Sequence, residues 1–285
     1  MKKPRAISYR SAVWDIRTDS IKSARLYILL YEASKPTGII VWLPGMSDKP
    51  IADRNNPLLS YVVPRALKEG FSVAIVCFPG TFDARFIEER TLSTMKQNAL
   101  DAIKKLSQTI RNYKSLQKIL IGRSSGGSLV GRFVDTGFDA YISIAGRIQL
   151  RELYKQIQRK GYLCNTAKPY LRVRNPVNIG NEIKYCINDQ YMKEIGTEET
   201  KIRTSFERAG RQTAKPKLLA IQAHDDNVVP YQLDAWKKLA DGYDIPIALF
   251  PLNVPCGHSF LSQPVVRLTA NRILSFITEK GVMYV

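Results

Sequence analysis

A pair of serines lies among glycines in the stretch GRSSGGS, residues 122–128, directly behind the apolar run KILI. The five residues from Gly122 to Gly126 match the pattern G-x-S-x-G, with Ser124 at its centre and Ser125 beside it. Small residues at these positions let a strand and a helix pass closely around a serine that is held on a sharp turn between them. The start of the helix behind the turn favours developing negative charge. The stretch therefore predicts a nucleophilic serine, and Ser124 is the candidate.

Phosphate-binding loops and a flexible turn are the alternatives for the same stretch. The P-loop pattern requires a Lys after its glycines, and no Lys follows here. The dinucleotide-binding pattern G-x-G-x-x-G requires a different glycine spacing. A plain Gly/Ser loop fits the letters alone. The strand-like run before the serines and the helix-like run SLVGRFVD behind them favour the serine turn.

A serine hydroxyl needs a base to remove its proton, and the sequence contains two histidines, His224 and His258. His258 lies in CGHSF, in the loop after the last predicted strand. Loops at the carboxyl ends of parallel strands meet at one edge of the sheet, where Ser124 should also emerge, so we predict His258 as the base. The orienting acid is expected after the preceding strand, where Asp225 and Asp226 are adjacent. A helix-capping role is the alternative for this pair.

The elements that must position these residues are strands alternating with helices. Continuous apolar runs at GIIVWLPG, FSVAIVCFPG and KILIG are typical of strands buried on both faces. Further strands are predicted at residues 6–17 and 24–34 and at DAYISIAG, KLLAIQAH and PIALFPL. Apolar residues recur at helical spacing from Thr91 to Tyr113, and a second helix is expected to begin at Pro230 and end at Gly242. This alternation predicts an α/β fold, with a mostly parallel central sheet flanked by helices.

Residues 147–217 interrupt the alternation. They are polar and basic with weak periodicity, so we predict a cap of short helices and loops inserted into a single domain of residues 1–285. Between Arg151 and Arg174, seven basic residues face the single acid Glu152. Because the insertion leaves the sheet just after the fourth buried strand, it should overhang the edge that carries Ser124. Arg172 and Arg174 are the predicted binding residues for an anionic substrate; a solvated lid is the alternative.

The whole chain is strongly basic, with a net charge of +18 and an isoelectric point near 9.8. Such charge indicates an acidic partner surface, an anionic substrate or merely a Lys-rich proteome. No zinc-finger, RNP-like or helix-turn-helix pattern supports a nucleic-acid partner. The four cysteines form no C-x-x-C pair and are expected to be free thiols rather than metal ligands. No secretory signal or membrane-spanning run is evident, so we expect a cytoplasmic protein.

The motifs LPGMSD, GRSSGG, HDDNVVP and CGHSF together resemble the α/β-hydrolase superfamily, in particular its serine esterases and prolyl-oligopeptidase-like hydrolases. The resemblance covers the chain outside the predicted cap, and it keeps the superfamily's order of Ser, then Asp, then His. In the superfamily the acid precedes a proline in the pattern D-x-x-V-P, which implies Asp226 rather than Asp225. The implied triad is Ser124, Asp226 and His258.

The resemblance also implies an oxyanion hole formed by backbone N–H groups. One donor is the residue after the nucleophile, Ser125, and the other lies in the loop after GIIVWLPG. Many members have His-Gly in that loop, whereas this chain has Pro44, Gly45 and Met46. Because proline cannot donate, we expect the N–H of Met46 to be the second donor.

The activity implied by the resemblance is hydrolysis of an ester, thioester or amide of a small acyl substrate through an acyl-enzyme. It requires no metal and no organic cofactor. Among these activities we expect a carboxylesterase. A peptidase or an acyl-thioesterase is the alternative that uses the same triad. An α/β-hydrolase-fold binding protein without catalysis, using its basic cap as a surface, is the alternative of another class.

Overall fold

The computed structural model describes residues 11–17, 25–45, 56–78, 92–151, 189–226, 231–258, 260 and 262–278. Eight strands in these ranges form one sheet: β1 (Ser11–Arg17), β2 (Arg25–Tyr31), β3 (Gly38–Leu43), β4 (Phe71–Cys77), β5 (Gln117–Arg123), β6 (Ala140–Ile144), β7 (Lys217–Ala223) and β8 (Ile247–Leu252). The described helices are α1 (Pro57–Lys68), α2 (Leu92–Thr109), α3 (Ser125–Val130), α4 (Asp189–Gly210), α5 (Leu233–Asp241) and α6 (Gln263–Ile277), with a 3-10 turn at Tyr113–Ser115.

The strand order is β1-β2-β4-β3-β5-β6-β7-β8. β2 is antiparallel to both of its neighbours, and every pair from β4 to β8 is parallel. The strands that form the centre of this sheet are the continuous apolar runs of the sequence, and every residue of β3 and β4 is buried. The predicted α/β class, with a mostly parallel sheet, is confirmed.

Helices cover both faces of the sheet. α1 and α6 pack on one face, against strand residues such as Ile40 and Ile75. α2, α3, α4 and α5 pack on the other face, against strand residues such as Val41 and Val76. Alternate residues of one strand therefore enter two separate apolar cores, which explains why the central strands lack a polar face. None of the described helices is long and apolar enough to cross a membrane.

Three elements differ from the sequence-based expectation. α3 begins at Ser125, directly after the serine turn, and is only six residues long. α5 begins at Leu233, after the predicted start at Pro230, and the backbone of Gln232 is still non-helical. α4 is one helix of 22 residues in a segment where we expected short helices. Its second half contributes Ile202 and Phe206 to the core.

The rest of the predicted cap, residues 152–188, lies outside the described residues. Cys77 and Cys256 are free thiols in the structure, and Cys164 and Cys186 lie outside the described ranges.

Candidate active site

Ser124 occupies the turn between β5 and α3. Its backbone has φ 53° and ψ −117°, a combination that non-glycine residues rarely adopt. Hydrogen bonds hold it on both sides. The Ser124 amide donates to the carbonyl oxygen of Ile144 on the neighbouring strand at 2.8 Å, and the Ser124 carbonyl oxygen accepts from the Ser128 amide at 2.9 Å. The surrounding structure thus fixes a strained residue at the carboxyl edge of the sheet.

Two glycines permit the chain to pass itself at this turn. A Cβ added to Gly122 would lie 2.1 Å from the carbonyl oxygen of Gly126, and a Cβ added to Gly126 would lie 2.1 Å from the carbonyl oxygen of Leu43. Both contacts are with backbone atoms, so a side chain at either position requires the backbone to move. Close backbone approach therefore accounts for both glycines of the G-x-S-x-G pattern.

A hydrogen-bonded chain joins the serine to a histidine and a carboxylate. Nε2 of His258 lies 2.9 Å from Oγ of Ser124. Nδ1 of His258 lies 2.9 Å from Oδ2 of Asp226. Because a carboxylate can only accept, the Asp226 contact places the proton on Nδ1 and leaves Nε2 free to accept from the serine hydroxyl. The structure thus brings together Ser124, Asp226 and His258. In sequence, His258 lies 32 residues after Asp226 and 134 residues after Ser124.

The surroundings of His258 favour its neutral form. Burial lowers the pKa of His258, and the positive charges of Arg123 and Arg147 act in the same direction. The hydrogen bond and the charge of Asp226 oppose this by raising the pKa. A lowered pKa keeps the imidazole unprotonated, which is the form that can accept a proton from Ser124.

Asp225 holds the loop that carries His258. Its carboxylate accepts from the Cys256 amide at 2.9 Å and from the Gly257 amide at 3.0 Å. Gly257 has φ 58°, so the loop turns sharply there. Burial, with the negative charges of Asp225 and Asp226, raises the pKa of Cys256 to about 11. The Cys256 thiol therefore stays protonated near neutral pH and is no rival nucleophile.

Arg123 also holds the loop that carries His258. Its Nη2 donates to the carbonyl oxygen of His258 at 3.1 Å. Because Arg123 is the last residue of β5, this bond ties the base directly to the strand that precedes the nucleophile. The sequence offered no signal for the contact, since the two residues are 135 positions apart.

The remaining candidates for nucleophile and base lie elsewhere. Ser125 is fully buried, and its hydroxyl has no hydrogen-bond partner in the described part of the chain. His224 is exposed and stacks on Tyr231, with ring centroids 4.4 Å apart. Neither side chain joins the hydrogen-bonded chain that contains His258.

The backbone of Ser125 begins α3, where the first N–H groups of a helix have no partner within the helix. Leu43, the last residue of β3, and Pro44, which follows it, lie against Gly126 of this helix. The neighbouring Met46, expected as an oxyanion donor, lies outside the described residues, as do Arg172 and Arg174.

A polar cluster missed by the sequence analysis ties the loop after β6 to the start of α5. Oε1 of the buried Gln232 accepts from the amides of Ile148 at 2.7 Å and of Gln149 at 3.0 Å. Nε1 of Trp236 donates to the carbonyl oxygen of Gly146 at 3.1 Å. These contacts fix the chain that leaves the sheet next to Ser124. In the described ranges, no group of three or more His, Cys, Asp or Glu side chains is arranged to hold a metal ion.

No family model and no curated protein sequence matches this chain. Solved structures match it in fold. A thermostable carboxyl esterase from Bacillus coagulans is 14% identical with a TM-score of 0.64, and the match covers 95% of this chain and 99% of the esterase. Mouse alpha/beta hydrolase domain-containing protein 10 is 15% identical with a TM-score of 0.61. The match covers 95% of this chain and 100% of the mouse protein.

An acylaminoacyl peptidase from Pyrococcus horikoshii is 14% identical with a TM-score of 0.64, over 98% of this chain but only 44% of the peptidase. The chain thus spans less than half the length of the acylaminoacyl peptidase structures that it matches, 42% and 44% in two cases. At these identities the likeness is one of fold. With its strand order, its antiparallel β2 and its strained serine turn, the chain has the α/β-hydrolase fold.

Proposed function

We propose that the protein is a serine hydrolase that cleaves a carboxylic ester through an acyl-enzyme on Ser124. The observation that carries the proposal is the continuous hydrogen-bonded chain from Asp226 through His258 to Ser124, with both contacts at 2.9 Å. The chain ends on a serine with a strained backbone at the carboxyl edge of the sheet. Nucleophile, base and orienting acid in this arrangement are the recurring solution for acyl transfer by serine.

Acylation forms a bond from Ser124 to the acyl group, breaks the bond to the leaving oxygen, and moves one proton between these two oxygens through His258. Nε2 of His258 takes the proton from Oγ of Ser124 as Oγ bonds to the carbonyl carbon of the ester. When the tetrahedral intermediate collapses, the bond to the leaving oxygen breaks, and the Nε2 proton passes to that oxygen. Deacylation repeats these steps with water in place of the serine hydroxyl, which releases the acid and restores Ser124.

Asp226 acts through His258. Its side chain is 1% exposed, so the carboxylate interacts with the imidazole in a site from which bulk water is excluded. It holds the tautomer with the proton on Nδ1 and stabilises the imidazolium that forms during each proton transfer.

The developing oxyanion requires donors that are already in place. The backbone N–H of Ser125, the first residue of α3, suits this role, and the partial positive charge at the start of a helix acts in the same sense. Met46 remains our prediction for the second donor. The contact of Gly126 with Leu43 and Pro44 supports it, because the loop that leads to Met46 starts beside the serine turn.

An ester is favoured over a peptide among the possible substrates. The carboxyl esterase from Bacillus coagulans matches this chain over 99% of its own length, whereas the acylaminoacyl peptidase from Pyrococcus horikoshii is matched over only 44%. A peptidase or acyl-thioesterase remains the alternative on the same triad, and a panel of p-nitrophenyl esters, acyl thioesters and aminoacyl amides separates the three.

Residues 147–217 are proposed to act as the cap of this site. The segment leaves the sheet after β6 and returns at β7, and β6 pairs with β5, the strand that directly precedes Ser124. Within it, α4 packs Ile202 and Phe206 into the core, which gives the segment a rigid attachment. Arg172 and Arg174 remain predicted substrate contacts.

The test is covalent labelling with a fluorophosphonate probe, together with turnover of p-nitrophenyl esters. The parent and Ser125→Ala should take the probe and turn over ester, whereas Ser124→Ala should do neither at a comparable rate. A labelled Ser124→Ala variant, or an unlabelled parent that hydrolyses nothing, contradicts the proposal. An unlabelled parent that still binds acyl ligands points to the non-catalytic binding protein.

A further inference from the structure

Two arginines are buried in the described part of the chain, and they differ in their partners. Arg132 is 8% exposed and forms an ion pair with the buried Glu198. Arg147 is 6% exposed, and no carboxylate among the described residues pairs with it. Its Nε is fully buried and has no hydrogen-bond partner there. Arginine stays charged in proteins, so Arg147 is a buried cation that has no counter-ion among the described residues.

An unpaired buried charge is costly for folding, and proteins rarely retain one without a counter-ion or a ligand. Arg132 shows the usual solution in this same fold, a carboxylate at its guanidinium. No carboxylate of the described residues meets the guanidinium of Arg147, so in this part of the structure its donors are open to a carboxylate of a ligand.

The position of Arg147 relates it to the serine. β5 and β6 are parallel, with Arg123 opposite Ile144, so Ser124 and Arg147 leave the sheet at the same edge. Oγ of Ser128 joins the two segments: it donates to the Ser124 carbonyl oxygen at 3.3 Å and accepts from the Arg147 amide at 3.1 Å. The charge of Arg147 is also close enough to His258 to lower its pKa.

The backbone around Arg147 is fixed on both sides. Before it, the Gly146 carbonyl oxygen accepts from Trp236 at 3.1 Å. After it, the Ile148 amide donates to Gln232 at 2.7 Å. A guanidinium on so restrained a segment is preorganised, and it presents parallel N–H donors that match a carboxylate.

We infer that Arg147 binds a carboxylate of the substrate, so that the enzyme prefers an ester that carries a free acid group. The inference rests on the proposed function and adds a substrate class to it. The bound carboxylate supplies the counter-ion that the described residues do not provide, at a side chain that is only 6% exposed. A charge-assisted hydrogen bond of this kind corresponds to a preference of about ten- to hundredfold in kcat/KM for the acidic ester over its neutral analogue.

Two matched ester pairs test the inference and locate the acid group. On the acyl side, the mono-p-nitrophenyl ester of adipic acid is compared with its methyl ester. On the leaving-group side, para-carboxyphenyl acetate is compared with para-(methoxycarbonyl)phenyl acetate. The parent should prefer the acidic member of one pair by about tenfold or more.

The variants are Arg147→Gln, Arg147→Lys and the control Arg151→Gln. Arg151 lies four residues further along, is 68% exposed on its side chain and already faces Glu199. Arg147→Gln should remove the preference, Arg147→Lys should restore part of it, and Arg151→Gln should leave it unchanged. Thermal unfolding provides a further readout: Arg147→Gln should unfold at the same temperature as the parent or higher, since it removes a buried charge that no described carboxylate pairs.

A parent without preference in either pair overturns the inference, as does an Arg147→Gln variant that keeps the parent's preference. Failure of the carboxylate site and failure of the hydrolase proposal can be distinguished by calorimetry. It measures how tightly the parent and Arg147→Gln bind monomethyl adipate and para-hydroxybenzoate. If the parent neither takes the fluorophosphonate probe nor hydrolyses ester, the hydrolase proposal fails. In that case the carboxylate site is supported if either anion binds the parent at least about tenfold more tightly than it binds Arg147→Gln. It is contradicted if the parent and Arg147→Gln bind both anions equally tightly.

Discussion

Asp225 and Asp226 are neighbours in the sequence, but their carboxylates have different partners. Asp226 contacts Nδ1 of His258 at 2.9 Å, whereas Asp225 accepts from the backbone amides of Cys256 and Gly257. One carboxylate therefore contacts the imidazole, and the other positions the loop that carries it. The resemblance in the sequence implies Asp226 rather than Asp225 as the orienting acid, and the structure gives Asp225 a positional role.

This division predicts unequal effects of two conservative substitutions. Asp226→Asn should favour the wrong tautomer of His258 and lower kcat by about 10⁴-fold. Asp225→Asn keeps an acceptor for the loop amides and should reduce kcat far less. Steady-state kinetics on one p-nitrophenyl ester measures both. Losses of similar size from the two variants would remove the distinction between the two carboxylates.

The pH dependence of kcat/KM should reflect the lowered pKa of His258. The base must be neutral, so activity is present above its pKa and is lost as the pH falls through it. Burial lowers this pKa, and the acid limb for a neutral ester should therefore have its midpoint below the ordinary histidine value of about 6.5. A midpoint at or above that value contradicts the assignment of His258.

The same shift affects stability. Between the pKa of folded His258 and about 6.5, the unfolded chain binds more protons at this residue than the folded chain does. The contribution of His258 to the free energy of unfolding should therefore decline as the pH falls through this window. Urea unfolding of the parent and of His258→Gln at a series of pH values measures it, and the two curves should converge toward acid pH.

Gly126→Ala should disrupt the serine turn. The new Cβ would lie 2.1 Å from the carbonyl oxygen of Leu43, so either the helix or β3 must shift. We expect a loss in the free energy of unfolding at the upper end of about 1–3 kcal/mol, together with a loss of ester turnover. Gly242→Ala is the control, because its nearest neighbour would be the Lys238 carbonyl oxygen at 3.3 Å and its φ is −62°. A Gly126→Ala variant as stable and active as the control would contradict the close approach.

Glu198→Gln should destabilise the fold strongly. Glu198 is fully buried and faces Arg132, and it also accepts from Lys201 at 2.9 Å. Removing its charge leaves Arg132 buried without a counter-ion, at a cost of about 3–5 kcal/mol. Glu207→Gln, in an exposed pair with Arg211, should cost about 1 kcal/mol or less. Chemical denaturation measures the loss in the free energy of unfolding for both variants. Equal losses would show that the buried Arg132–Glu198 pair contributes no more to stability than the exposed pair.

The sheet and the serine turn could be predicted because their signals are local. A strand buried on both faces appears as a continuous apolar run, as GIIVWL does, and a serine turn needs glycines two residues to either side. The order of the candidate residues along the chain then follows from the order of the parallel strands. Such features depend on neighbours within a few residues, which a single sequence displays.

The contacts that tune the site could not be predicted, since they join distant positions. Gln232 binds the amide of Ile148, 84 residues away, and Arg123 binds the carbonyl oxygen of His258, 135 residues away. Arg147 appears in the sequence only as the first residue of a basic insertion. Its burial, with no ion pair to a described carboxylate, is a property of the packed structure, in which α3 and α5 fix the chain around it.

The proposed mechanism requires a covalent acyl group on Ser124, and the decisive experiment is to trap that intermediate. The parent and Ser125→Ala are mixed with excess p-nitrophenyl ester, quenched in acid within one turnover and digested with trypsin. Cleavage after Arg123 and Arg132 releases a peptide that begins at Ser124, so fragment ions distinguish Ser124 from Ser125 and Ser128. We expect the mass increment of one acyl group on Ser124 in both proteins. Ester turnover with no acylated peptide, or an acyl group on Ser125 or Ser128 instead, would contradict it.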